Sequence, residues 1–156
     1  MKTIIIHRKG ERGQSFMELA ISLVFLIMLL SVVIDLGWAF YTLISLRDTV
    51  QEAASFGSMC TKKTMVEERF KRSASSPIDM NQVAGVIVCY SDRLTPSTCK
   101  VIASTINRGD DVTVTVNYQH QIMTPFIGAI INTQSYPLQV TISNTVLQTD
   151  QAIACK

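Results

Sequence analysis

Between residues 19 and 34 the chain carries no charged side chain, and before Cys60 it carries no cysteine. The first absence concentrates apolar residues too heavily for that stretch to belong to a globular core, and it leaves about 90–100 residues for a water-facing head, marginal for a domain without staples. The second confines Cys60, Cys89, Cys99 and Cys155 to the part that follows the run. An even number there indicates two disulfides if that part lies outside the cytoplasm. No Cys-x-x-Cys spacing occurs, and His7 and His120 stand alone, so no metal site is expected. Neither Gly-x-Ser-x-Gly, nor a P-loop, nor His-Glu-x-x-His is present, so neither an enzyme nor a cofactor is expected. The formal charge of +2 is too small to argue for nucleic acid. No Ala-x-Ala site and no lipobox cysteine follows the apolar run, which sets aside a cleaved secretory signal and a lipoprotein anchor.

What is there begins with Lys2, Arg8, Lys9 and Arg12 against a single Glu11. Basic residues before an apolar helix resist translocation, so the N-terminus is expected in the cytoplasm and the remainder exported, as a single-pass protein of the cytoplasmic (inner) membrane. A span needs about 20 apolar residues, which residues 15–36 supply. Glu18 then lies near the cytoplasmic face and Asp35 near the outer one, with Trp38, Phe40 and Tyr41 placed for an aromatic belt. From 41 to 56 there is neither Pro nor Gly, and Leu43, Leu46, Val50, Ala53, Ala54 and Phe56 recur at helical spacing. One helix from Gln14 to Gly57, about 66 Å long, is therefore expected to protrude from the bilayer, with Gly57 as its C-cap. One face should rest on the head and the other on neighbouring chains.

Two carboxylates call for partners. Glu18, near the start of a span, reads either as an interfacial acid favoured by the helix dipole or as a charge paired with another protein group. Asp35 reads as a solvated acid at the outer membrane face, with a packing or register contact as the rival. Gly37 would let a second helix approach closely.

Residues 58–156 are expected to form an α+β head: a small antiparallel β-sheet laid against the protruding helix. Thr64 with Glu67 reads as the capping box of a short helix to about Ala74, and Pro77 opens a turn or a further short helix to about Val83. Residues 85–90, 111–120 and 138–147 read as strands, the second by the clean alternation of Val112, Val114, Val116 and Tyr118 with polar residues. Residues 101–106 are a weaker candidate, and Arg108-Gly109-Asp110-Asp111 supplies a turn. The insert 124–131 should pack on the core as a loop or short helix. The cysteines allow three pairings. The turn-rich loop between Cys89 and Cys99 favours that pair, leaving Cys60 with Cys155.

Arg12-Gly13-Gln14-Ser15-Phe16-Met17-Glu18-Leu19-Ala20, then Ile34-Asp35-Leu36-Gly37-Trp38-Ala39-Phe40-Tyr41, then Ala53-Ala54-Ser55-Phe56-Gly57 together resemble the TadE-like pseudopilins, minor components of the tight-adherence (Flp) type IV pilus system. The resemblance covers roughly residues 8–57. It implies a leader at 1–13, cut between Gly13 and Gln14 by a membrane prepilin peptidase, and a mature helix at 14–57. It further implies that Glu18 pairs with a positive N-terminal amine in assembly, and that Asp35 and Gly37 serve helix packing. The implied partners are other pilin subunits, the peptidase, the inner-membrane assembly platform and membrane lipid. An unprocessed, membrane-anchored interaction domain is the alternative, and an exported enzyme a third class for which no site is visible.

Overall fold

A computed structural model describes residues 11–93, 95–100, 106–124, 127–129, 132–147 and 155. A single helix, α1 (Glu11–Gly57), leads into a shorter one, α2 (Lys63–Ser73), and a 3₁₀ turn at Met80–Gln82. Four strands follow: β1 (Val83–Asp92), β2 (Thr95–Lys100), β3 (Asp111–Gln121) and β4 (Ser135–Thr145). They form one antiparallel sheet in the order β2-β1-β3-β4. The architecture is α+β, a long helix followed by a small sheet. Residues 1–10 of the leader and 101–105 of the weaker strand candidate lie outside the described residues.

The hydroxyls within α1 do not break it because they bond inside the helix. Ser31, Thr42 and Thr49 each donate to the carbonyl four residues earlier, at 2.9 Å. Beyond the apolar run, α1 buries a narrow stripe of Thr42, Leu46, Thr49, Val50, Ala53 and Ala54. Opposite it, the inner sheet face offers aligned rows: Val88 beside Val114 beside Ile142, and Val86 beside Val116 beside Val140. The helix from Asp35 to Gly57 rises about 33 Å, and an eleven-residue strand such as β4 extends by about the same length. Matched lengths let one sheet face cover the whole protruding half. Thr113 and Ser143, and Thr115 and Thr141, pair their hydroxyls across the outer face at 2.9 and 3.0 Å, which keeps that face wet.

Several local readings are corrected. Gly57 ends α1 without a left-handed cap: among the described glycines only Gly109 has a positive φ, at 91°. Gly57 instead serves a close approach: a Cβ there would sit 3.1 Å from Val112 Cγ2, tighter than an ordinary contact, and 3.4 Å from Val66 Cγ2. The buried Tyr90 closes the helix end, its hydroxyl 3.3 Å from the Gly57 carbonyl oxygen and 3.1 Å from that of Cys60. Thr64 does not cap α2. The helix starts at Lys63 with Lys62 in the cap position and no side-chain bond to its amides; burial of Val66 and Phe70, one turn apart, sets its position instead. The loop expected between Cys89 and Cys99 is a hairpin whose second half is β2. Pro96 is tolerated there because β2 lies at the edge of the sheet.

The far end of the head is tied repeatedly. Cys60 bonds Cys155 and Cys89 bonds Cys99, while the Leu147 amide donates to the Ser58 carbonyl at 2.8 Å. Lys100 pairs with Asp110 at 2.5 Å. Burial pushes the Asp110 carboxyl upward, but the Asn107 amide and the Lys100 ammonium outweigh it and hold it below the ordinary value.

Candidate functional site

Gly13 and Gln14 lie in the first turns of α1, both exposed, and among the described residues nothing beyond the helix's own backbone comes within 4 Å of the place a Gly13 side chain would occupy. Glu18 follows one turn after Gln14, also exposed. From Phe16 to Ile34 the large apolar side chains are uncovered on every side of the helix, Phe16 at 72% and Phe25 at 68% exposure among them. Mean hydropathy reaches 2.8 in a window of which nothing is buried. A core helix would hide one face. The apolar run hides none, so this part of α1 is a candidate membrane anchor. Glu18 and Asp35 stand about 25 Å apart along it, close to the thickness of a bilayer core.

Asp35 is where the head first touches the helix, and here the solvated reading is corrected. Its Oδ2 accepts from the Thr124 amide at 3.2 Å and also from the Thr124 hydroxyl. Its Oδ1 is buried and, among the described residues, has no hydrogen-bond partner. Around it lies an open cleft of about 210 Å³ lined by Val32, Leu36, His120, Ile122, Ile127 and Tyr136. His120 and Tyr136 face each other across β3 and β4, ring centroids 5.1 Å apart. Burial lowers the His120 pKa, opposed by the charge of Asp35. Burial, and secondarily Asp35, raises that of the Tyr136 phenol.

Gly37 lies on the opposite side of α1 from Asp35, exposed, with open space where a side chain would be. Phe40, Tyr41 and Ile44 continue that uncovered face, followed by Arg47, Asp48, Gln51 and Glu52. The structure therefore divides the sequence-derived candidates among three places. Gly13, Gln14 and Glu18 occupy the free N-terminal end, Asp35 the junction with the head, and Gly37 the uncovered helix face. Among the described residues no three His, Cys, Asp or Glu side chains converge as a metal site would require.

Sequence reasoning missed Thr124, His120 and Tyr136. His120 read as isolated, and Thr124 as the start of an insert bound for the core. A faint signal was present: a histidine at an inward position of an otherwise valine-lined strand needs a polar neighbour, and Asp35 is the acid within reach.

Residues 13–55 match the family model of the TadE-like proteins. The matched segment runs from the expected cleavage glycine nearly to the end of α1 and leaves the head outside it. No curated protein and no solved structure matches the chain.

Proposed function

We propose that this chain, with its TadE-like helix, is a minor pilin or pseudopilin of a Tad/Flp-type pilus that serves surface adhesion. A prepilin peptidase cuts between Gly13 and Gln14, and the mature helix carries the subunit into the fibre or supports its assembly. The carrying observation is the match over residues 13–55, on a helix whose apolar part is bare around its whole circumference. In water such a surface would aggregate; in a bilayer, and then among other helices, it is satisfied.

Cleavage would leave a free ammonium on Gln14, one helical turn before Glu18. Two opposite charges that must both enter an apolar environment cost far less as a pair than singly. Glu18 is thus the residue that makes the new N-terminus tolerable, within one subunit or between neighbours. The precursor sits in the inner membrane as a single-pass protein with its N-terminus cytoplasmic and its head exported, where both disulfides can form. Its partners are other pilin subunits, the peptidase, the assembly platform and membrane lipid.

The mass of the mature N-terminus tests this reading. A chain beginning at Gln14, and accumulation of uncut precursor in Gly13→Ala, are the expected results. A mature chain that retains Met1, or normal cutting of Gly13→Ala, would return the protein to an unprocessed anchored domain.

A further inference from the structure

The cleft at Asp35 is built in a way that the processing reading does not use. One carboxylate oxygen is fully engaged by Thr124, and the other is buried with no partner among the described residues. A desolvated carboxylate oxygen without a donor is strongly unfavourable. Neither His120 nor Tyr136, which line the same cleft, bonds that oxygen. The remaining walls are the Tyr136 ring and the aliphatic side chains of Val32, Leu36, Ile122 and Ile127. The cleft is open, and its mainly apolar walls offer few bonds to water.

We propose that this cleft receives a single basic side chain, lysine or arginine, from a neighbouring chain. Its aliphatic stem lies along Val32, Leu36, Ile122 and Ile127, and its cationic head pairs with the Asp35 carboxylate in the cleft wall. Long basic side chains are suited to this division, with an apolar stem and a charged tip. The ring of Tyr136 at the same cleft adds a surface that attracts cations. The placement near the outer end of the apolar run is where basic residues of membrane proteins reach for the interface. A lipid ethanolamine headgroup fits less well, because its phosphate would be drawn toward carbon walls and a carboxylate. A bare metal ion would find a single free ligand oxygen. That the donor is a fellow subunit rests on the assembly reading; the preference for a cation does not.

The test uses the full chain in zwitterionic detergent micelles, with n-butylammonium as probe and n-butanol as its uncharged counterpart. The Thr124 amide resonance, whose hydrogen bond ends on Asp35, reports occupancy. The amine is expected to shift it saturably and to bind at least tenfold more tightly than the alcohol. Asp35→Asn, which keeps an acceptor for Thr124, should weaken amine binding at least tenfold. Ile127→Trp, which fills the cleft without touching the carboxylate, should block it. Equal binding of amine and alcohol, an undiminished affinity in Asp35→Asn, or no saturable shift would overturn the proposal. A photo-crosslinker at position 127 in cells then identifies the donor. Adducts beside a Lys or Arg of a second membrane-anchored chain are expected, and lipid adducts alone would overturn the protein donor. Amine binding is independent of processing, so its failure and that of the pilus reading are distinguishable.

Discussion

Asp35 and Thr124, 89 residues apart, are joined by two hydrogen bonds to one carboxylate oxygen. The contact fixes the near end of the sheet to the helix at the point where the apolar run ends. Thr124→Val keeps the amide bond and the side-chain shape but removes the hydroxyl donor. A hydrogen bond to a charged group contributes about 1.5–3 kcal/mol, so this variant should lose about that much stability. Thermal or denaturant unfolding of the full chain in detergent measures it. An unchanged midpoint would mean that the hydroxyl bond contributes nothing to the fold.

Glu18→Ala should separate membrane insertion from assembly. The substitution removes a charge from an exposed helix position without touching the head, so insertion and cutting at Gly13 should proceed. Incorporation into fibres should fall at least tenfold, because the Gln14 ammonium then has no counter-charge in an apolar setting. Immunoblots of sheared fibres against whole membranes give the ratio. Wild-type incorporation would leave Glu18 as an interfacial acid and nothing more.

The two disulfides should differ in weight. Cys60–Cys155 closes a sequence separation of 95, and Cys89–Cys99 one of 10. In the chain-entropy account, removing the first costs about 4.7 kcal/mol and removing the second about 2.7 kcal/mol. Paired serine variants, Cys60→Ser with Cys155→Ser and Cys89→Ser with Cys99→Ser, unfolded side by side, give the comparison. The reverse ranking would show that the ties at Tyr90 and Leu147 already hold the helix end.

Two groups set an acid limit on the head. His120 has a lowered pKa in the fold, so below its ordinary 6.5 the unfolded chain binds the proton more readily. Its contribution to stability is complete above that value and is lost as pH falls toward the folded pKa. Asp110 is also lowered, from 3.8, so its contribution is complete above that value and is lost at still lower pH. Unfolding midpoints should therefore decline in two stages on acidification. His120→Gln should flatten the upper stage and Asp110→Asn the lower. Parallel wild-type and variant curves in either window would remove that group from the account.

Some of this was legible in the residues and some was not, for definable reasons. The uncharged run from 19 to 34, the unbroken helix to Gly57 and the alternation of Val112, Val114 and Val116 are local patterns. Helix and strand periodicities follow from backbone geometry, so three or four residues of context decide them. The edge strand β2 was hidden because Pro96 and a turn-rich composition outweigh its pairing with β1, which only the assembled sheet supplies.

The sequence by itself determined that this chain has a membrane-length apolar helix, a TadE-like signature on it, and a small cysteine-bearing head of β character. Tertiary structure decided the roles of particular side chains. It made Gly57 a contact point for Val112 and Val66, turned Asp35 from a membrane-edge acid into the anchor of Thr124, and brought His120 and Tyr136 to that same cleft. The physical reason is distance along the chain. Hydrophobic periodicity repeats within a turn or two and can be read where it stands, whereas the satisfaction of a buried carboxylate depends on donors nearly ninety residues away, which only folding brings within reach.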